Sequence, residues 1–267
     1  TTHSLSVASL TATGKIIGGI SNSAGVKAAV VGGNSNTASG SASFIGGGTL
    51  NRACGVYSTV AGGCRNYANG LQSSVGGGSA NCASGSNSFV GSGSSNIASG
   101  SHSSVVGGYG NCATSSQSFI GGGSTNVASG YRSFVGGGYY QIASGGLATV
   151  AGGVYNCAIG SYTAVGGGSS NRACGIYSTV AGGRVNKTCG KAGAVGGGYC
   201  NVASTYAGIA GGRTNTASGS ASFIGSGFNN TASGNCSTIA GGFSGIVSGN
   251  FATVGGGHHN TISNNCG

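Results

Sequence analysis

A 15-residue repeat, opened each time by a β-branched aliphatic residue, is the feature that most restricts how this chain folds. Counting the aliphatic residue as position 1, Gly recurs at positions 3, 4 and 11, Asn at position 7 and Ala at position 9. A fixed period of this length is typical of solenoids, in which each copy forms one coil that packs on its neighbours. The openers, predicted to form the core, follow at 15-residue intervals except for one 14-residue step before Ile209: Val30, Ile45, Val60, Val75, Val90, Val105, Ile120, Val135, Val150, Val165, Val180, Val195, Ile209, Ile224, Ile239 and Val254.

Each coil is predicted to contain two short strands, at positions 14 to 2 and 7 to 10, joined by two turns. Gly supplies the positive φ or the close backbone approach that the corners need. Asn, which recurs at position 7, tolerates the left-handed conformation and can bond its own backbone. Positions 15 and 2 share the face opposite the aliphatic residue. Phe at position 15 accompanies Gly at position 2, as in Phe44 with Gly46, so that face is also predicted to be packed.

The small apolar content of each coil predicts self-association. A coil offers one Val or Ile, one Ala and in some copies a Phe, whereas ordering each of its glycines costs ~1–2 kcal/mol of backbone entropy. A single stack with so few large apolar groups is a weak candidate for folding alone. Two packed faces predict one core inside the coil and a second core between chains. We therefore predict a homo-oligomer, most simply a homotrimer.

The repeat also sets the domain organisation. Residues 1–29 are predicted to be a degenerate N-terminal approach or capping segment, and residues 30–267 to be a solenoid of sixteen coils. At the ~4.8 Å spacing of neighbouring strands, sixteen coils would form a rod on the order of 75 Å long. Because the sequence starts without Met and stops within a copy, we expect it to be part of a longer chain. No apolar run approaches the ~20 residues of a membrane span, so no membrane insertion is predicted.

Copies such as residues 121–138, GGGSTNVASGYRSFVGGG, resemble the head repeats of trimeric autotransporter adhesins, the YadA-like family. They resemble still more closely the GGG-x-x-N-x-A-S-G repeats of phage tail-fibre, giant-virus and bacterial surface proteins. The resemblance covers essentially residues 30–263. It implies a left-handed parallel β-roll, three chains side by side, and a structural or adhesive role on a cell or virion exterior. The copies here depart from the adhesin heads in their mostly 15-residue length and abundant Cys.

The charge balance excludes several kinds of chemistry. The chain has ten Lys or Arg residues and no Asp or Glu, so carboxylate acid/base catalysis, Mg or Ca sites built on Asp or Glu, and Ser-His-Asp triads are ruled out. We predict no enzyme activity and no cofactor. The positive charge favours polyanions, and Arg184, Lys187 and Lys191 are a candidate contact for an anionic glycan or phosphate, the alternative being a solvated turn edge. Four tyrosines at positions 12 and 13 are candidates either for glycan stacking or for packing between chains: Tyr57, Tyr131, Tyr162 and Tyr177.

The ten cysteines contain no CxxC pair. Cys174 and Cys189 share position 10 in adjacent coils, where they would lie ~5 Å apart, and they are the best candidates for a disulfide. The alternative is that they are free thiols in slots for small residues. The adjacent His258 and His259 would point to opposite sides of a strand and have no suitably spaced Cys or His ligands, so no metal site is predicted.

These features favour a structural fibre or adhesin head, a rigid extracellular rod on a cell or virion surface. Its expected partners are other copies of itself, in a trimer or a higher filament, and a host-surface glycan or protein receptor. Two alternatives remain open. An ice-binding β-solenoid would present a flat Thr row, but at position 15 Thr is interrupted by Phe, Ala and Ser. A polyanion-binding rod would show steep salt dependence of binding.

Overall fold

The computed structural model describes residues 16–265, and the regular structure in that range consists of short β-strands. The chain divides after Tyr109 into two compact units, called here the N-terminal and C-terminal units. Each is a stack of parallel coils, so the prediction of an all-β parallel solenoid is confirmed. Strands begin with Ile16–Ile17, within the predicted capping segment. Residues 1–15 of that segment, and Cys266 and Gly267, lie outside the described residues.

Two columns of two-residue strands run through each unit. The aliphatic column contains positions 15 and 1, and the alanine column contains positions 8 and 9. In the N-terminal unit the aliphatic column comprises Ile16–Ile17, Ala29–Val30, Phe44–Ile45, Thr59–Val60, Ser74–Val75, Phe89–Val90 and Ser104–Val105, and the alanine column comprises Ser23–Ala24, Thr37–Ala38, Arg52–Ala53, Tyr67–Ala68, Cys82–Ala83 and Ile97–Ala98.

The C-terminal unit continues the same pattern. Its aliphatic column comprises Phe119–Ile120, Phe134–Val135, Thr149–Val150, Ala164–Val165, Thr179–Val180, Ala194–Val195, Gly208–Ile209, Phe223–Ile224, Thr238–Ile239 and Thr253–Val254. Its alanine column comprises Cys112–Ala113, Val127–Ala128, Ile142–Ala143, Cys157–Ala158, Arg172–Ala173, Lys187–Thr188, Val202–Ala203, Thr216–Ala217, Thr231–Ala232, Ile246–Val247 and Thr261–Ile262. Within a unit each strand pairs in parallel and in register with its equivalent one coil away, as Val135 does with Val150.

A third column, of single-residue parallel bridges at position 5, was not predicted from the sequence. In the N-terminal unit it runs through Ile20, Asn34, Thr49, Cys64, Ser79, Ser94 and Tyr109, and in the C-terminal unit through Ser124, Tyr139, Val154, Ser169, Arg184, Tyr199, Arg213, Phe228, Phe243 and His258. No single residue type predominates at this position, so the repeat pattern alone does not reveal it. Within each unit, a coil therefore has three rows of backbone contact with the next.

The apolar part of the core is thin in each coil and consists of small aliphatic side chains. The position-1 side chains from Val30 to Val254 are at most 7% exposed, and most are fully buried. They face the Ala side chains of position 9, which are likewise buried. Thr188 replaces one of these alanines, and its buried hydroxyl lies 2.9 Å from the Ser178 hydroxyl, so the added polar group is satisfied.

Glycine is required at two positions of the coil, for a different reason at each. Gly63, at position 4, has φ of 92°, and an added Cβ would overlap the Gly78 carbonyl oxygen of the next coil. Gly55, at position 11, has an ordinary φ, but its Cβ would overlap the Gly70 carbonyl. Positions 6 and 13 are left-handed in nearly every coil with non-glycine residues, including the β-branched Val185 with φ of 59°.

The Asn residues of position 7 form a buried ladder without adopting the left-handed conformation that Asn tolerates. Asn66 is representative. Its Oδ1 accepts a bond from the backbone N–H of Asn81, 3.0 Å away, and its Nδ2 donates to Gly62 O and Gly78 O, both at 2.9 Å. One amide thus satisfies a donor and an acceptor in the next coil and an acceptor in its own. Since both ends of the amide are used, an isosteric carboxylate or an aliphatic side chain cannot replace it.

Gln141 interrupts this ladder and provides a stability prediction. Its longer side chain still accepts from Asn156 N–H at 3.1 Å, but its Nε2 donates to Tyr139 O rather than to the two glycine carbonyls. We expect Gln141→Asn to raise the free energy of unfolding by about 1 kcal/mol, because two donor contacts to glycine carbonyls replace the one to Tyr139 O, a net gain of one hydrogen bond worth roughly 0.5–1.5 kcal/mol. Urea unfolding measures the change, and Asn171→Gln is the converse control, expected to lose a similar amount. A Gln141→Asn variant that is less stable than the parent would contradict the ladder's role.

Candidate ligand-binding surface

The three predicted basic contact residues lie in three different rows of the coil. Arg184 belongs to the position-5 column, Lys187 begins the strand Lys187–Thr188 in the alanine column, and Lys191 lies in a turn at position 12. The Lys191 ammonium is 5.9 Å from the centre of the Tyr206 ring. Arg184 instead lies beside Tyr199, one coil further along its own column. The sequence cluster is thus distributed around the coil.

The four candidate tyrosines are exposed at the turn of positions 12 and 13, between 47% and 61%. Tyr162 and Tyr177 occupy equivalent places in adjacent coils, and their rings stack with centres 5.0 Å apart. The Arg132 guanidinium lies 5.0 Å from the centre of the Tyr131 ring. Glycan stacking and packing between chains both need such exposed rings, so both interpretations of these tyrosines stay predictions.

Cys174 and Cys189 are free thiols in the structure, and the disulfide between them stays a prediction. The Arg172 Nε donates to the Cys174 sulfur at 3.1 Å. On the neighbouring coil, partial burial raises the pKa of the Cys157 thiol, while the nearby Arg172 charge acts in the opposite direction. Within residues 16–265, no group of three or more His, Cys, Asp or Glu side chains could hold a metal ion.

The clearest cluster of potential binding groups is a row along the position-5 column of the C-terminal unit. This aromatic–arginine row comprises Arg184, Tyr199, Arg213, Phe228, Phe243 and His258. Parallel, in-register pairing brings equivalent side chains of successive coils to within ~4.8 Å, so neighbouring rings and guanidinium groups stack. The sequence contains a signal for this row, because all six residues occupy position 5 of the repeat. The signal can be recognised only when position 5 is known to form a bridge between coils.

The row has a basic half in which guanidinium groups alternate with rings. The Arg184 and Arg213 Cζ atoms each lie 5.6 Å from the centre of the Tyr199 ring, one in the coil before it and one in the coil after it. Arg213 Cζ is also 5.3 Å from the centre of the Phe228 ring. These are favourable cation–π distances. Because the chain contains no Asp or Glu, neither guanidinium has a side-chain carboxylate to pair with.

The other half of the row is a continuous aromatic stack. The Phe228 and Phe243 ring centres are 5.2 Å apart, and the Phe243 and His258 rings lie 4.8 Å apart and within 7° of parallel. Tyr199, Phe228 and Phe243 are between 36% and 38% exposed. Stacking covers the faces of these rings and leaves mainly their edges accessible. A shallow surface depression is lined by Tyr199 and Arg213.

A second surface of interest is formed by the Phe residues of position 15. Phe44, Phe89, Phe134 and Phe223 are between 40% and 44% exposed, although they belong to the aliphatic column. Each except Phe223 lies over the Gly two residues later. The Phe44 Cε1 atom, for instance, is 3.6 Å from where a Cβ of Gly46 would be. The Phe–Gly pairing seen in the sequence is therefore a real contact, but the chain itself leaves the outer side of the rings uncovered.

The glycines of position 3 form a third surface, and the chain gives no steric reason for them. They are Gly32, Gly47, Gly62, Gly77, Gly107, Gly122, Gly137, Gly152, Gly167, Gly182, Gly197, Gly211, Gly241 and Gly256. A Cβ added at any of them would meet nothing nearer than 3.5 Å, and all but Gly122 and Gly256 have φ outside the region that favours glycine. Ser occupies this position at Ser92 and Ser226, so the coil accepts a side chain there.

Comparison with known proteins leaves the family open. No protein-family model matches the chain, and a search of curated proteins finds no significant match. In the part of the chain that the structure describes, no helix has the length and apolar character needed to cross a bilayer.

Proposed function

We propose that the chain is a non-enzymatic structural protein whose copies associate side by side, as a left-handed homotrimeric β-roll, into a fibre or adhesin head on the exterior of a cell or virion. The observation that carries the proposal is the row of position-3 glycines. Apart from Gly122 and Gly256, whose φ favours glycine, they have no conformational or steric cause within the single chain, because an added Cβ would meet nothing nearer than 3.5 Å. Close approach by the backbone of another copy would exclude side chains there.

The exposed Phe residues support the same arrangement. Phe44 and Phe89 in the N-terminal unit, and Phe134 in the C-terminal unit, each lie on the outer side of the aliphatic column and are about two-fifths exposed. Burying such rings between chains would add apolar contact that the thin coil core lacks. The trimeric state and the exterior location are the arrangement that the repeat resemblance implies.

Solution mass tests the self-association directly. Light scattering behind a sizing column is expected to give about three times the 24.9 kDa chain mass. A mass of one chain at micromolar concentration would contradict the fibre proposal, since each coil would then be stable without a partner.

Gly137→Val is expected to reduce this association to monomer. The Val side chain finds open space in the single chain, where the nearest atom to its Cβ is the Gly122 carbonyl oxygen at 3.8 Å, but it would separate closely packed copies. Losing packed contact at a tight interface costs several kcal/mol per interface, which is enough to lower the trimer population by orders of magnitude. The control is Gly146→Val in a turn, where a Cβ meets only Ser161 Oγ, at 3.9 Å. If the two variants have equal solution masses, the position-3 glycines are not part of the interface between chains.

A further inference from the structure

We propose that the basic half of the aromatic–arginine row binds a linear polysaccharide carrying carboxylate groups, with its anionic groups held by Arg184 and Arg213. The inference deepens the proposed function, since a surface fibre would present this row to extracellular polysaccharide. It names the ligand class and moves the contact from Lys187 and Lys191 to the position-5 column.

The guanidinium groups supply the anion recognition. Contact with the Tyr199 ring, one arginine on each neighbouring coil, restricts both guanidinium groups, and both arginines remain exposed to a ligand. A planar guanidinium matches a carboxylate with two parallel hydrogen bonds, and a preordered one loses less entropy on binding. With no Asp or Glu in the chain, no internal side-chain carboxylate competes for these donors.

The sparse charge of the row favours a polysaccharide over a nucleic acid. Arg184 and Arg213 are two coils apart, or ~10 Å, with an uncharged ring between them. Duplex DNA carries one charge per ~1.7 Å of axis, and nucleic-acid affinity grows with the number of phosphates neutralised. Single-strand binders also need open ring faces for base stacking, whereas these faces are covered by neighbouring side chains.

The residues beside the row suit a ligand rich in hydroxyl groups. The position-6 residues after Arg213, Phe228 and Phe243 are Thr214, Asn229 and Ser244, which are uncharged and can both donate and accept hydrogen bonds, whereas Val185 and Cys200 follow Arg184 and Tyr199. The Asn229 amide donates to the Ser244 hydroxyl at 3.2 Å on this exposed surface. Carboxylates spaced along a neutral, hydroxylated chain would therefore meet guanidinium groups at intervals and polar side chains between them.

The test is a binding titration of the full chain with an oligogalacturonate, its neutral methyl ester and an oligothymidylate of similar length. We expect binding to the oligogalacturonate and a loss of about tenfold in affinity for Arg213→Gln, the equivalent of one hydrogen-bonded charge contact. Arg213→Lys keeps the charge but loses the planar fork, and a clear loss is expected there too. Arg65→Gln removes the same charge from an exposed site in the N-terminal unit and should change affinity less than twofold.

Four results would overturn the proposal: no binding to the oligogalacturonate, equal binding of the methyl ester, tighter binding of the oligothymidylate, or equal losses for Arg213→Gln and Arg65→Gln. Thermal unfolding of each variant shows whether the fold is kept. If Arg213→Lys binds as tightly as the parent, Arg213 does not make a bidentate contact with the ligand. The solution mass is measured separately. A monomer that binds the oligogalacturonate would contradict the fibre proposal and support the polysaccharide site. A trimer that does not bind it would support the fibre proposal and contradict the polysaccharide site.

Discussion

Replacing Asn66 with Asp is expected to lower the free energy of unfolding by about 4 kcal/mol near neutral pH, the scale for an uncompensated buried charge. The side chain is fully buried, and its amide nitrogen donates to the carbonyl oxygens of Gly62 and Gly78. A carboxylate has no proton to donate, so two carbonyl oxygens would face a negative charge out of contact with water. Urea unfolding at fixed protein concentration measures the loss.

The exposed Asn69 provides the control in the same coil. Asn69→Asp makes the same chemical change three residues away, at a side chain that faces solvent, and should shift stability by less than about 0.5 kcal/mol. Similar losses at both positions would show that added negative charge, rather than the broken ladder, is responsible.

The Asn66→Asp deficit is also expected to depend on pH. An unfolded Asp titrates near 3.9, and burial beside carbonyl oxygens would raise the folded-state pKa of the new carboxyl above that value. The folded state then binds the proton more tightly, so stability is lost as pH rises from ~3.9 through the raised pKa and is regained on acidification. Since the printed sequence has no Asp or Glu, no other side-chain carboxyl in it titrates in this pH range. A deficit that stays constant down to pH 3 would contradict this assignment.

Gly145→Ala is expected to destabilise the fold by about 3 kcal/mol or more, the upper end of the range for overpacking. The added methyl group would overlap the carbonyl group of Gly160 in the next coil, and that group belongs to backbone that cannot rotate away. The only relief is a shift of one coil relative to the next, which would stretch the hydrogen bonds of all three columns.

The next residue offers a matched control for this substitution. A Cβ at Gly146 meets only Ser161 Oγ, at 3.9 Å, and its φ lies outside the glycine-favouring region. Gly146→Ala should therefore be neutral, or stabilising by about 0.5 kcal/mol through the lower entropy of the unfolded chain. Thermal unfolding of the two variants distinguishes them, and equal midpoints would mean that the coils are less closely stacked than the structure shows.

The sequence predicts the periodic parts of this fold well. The aliphatic openers from Val30 onward, the left-handed glycines such as Gly63 and the contact of Phe44 over Gly46 all leave a trace at a fixed repeat position. Each depends on a residue type that few others can replace. The parallel solenoid follows from them because only stacked coils bring equivalent residues together.

Other parts of the fold leave no recurring residue type in the sequence, or leave one that fits two different structures. Asn is common both in turns and in buried amide ladders, and the repeat alone does not distinguish Asn66 in a ladder from Asn in a turn. Val185 and Tyr177 adopt the left-handed backbone conformation at the corners of their coils, although residues of their types rarely do so. The conformational propensities of these residues therefore do not predict the corners. The row around Tyr199 arises from backbone bridges that impose no residue type, and only coordinates show which side chains they align.

Pairing between equivalent residues makes the number of coils a freely variable quantity. The Asn66 amide bonds the coil that follows it in the same way as Asn51 and Asn81 bond theirs. A coil inserted between two such neighbours would meet the same partners on both sides, and a deleted coil would leave behind two surfaces that already match. Recombination between near-identical stretches such as residues 51–63 and 171–183 can therefore lengthen or shorten the gene product in whole coils without disturbing its packing. Selection can then act on length alone.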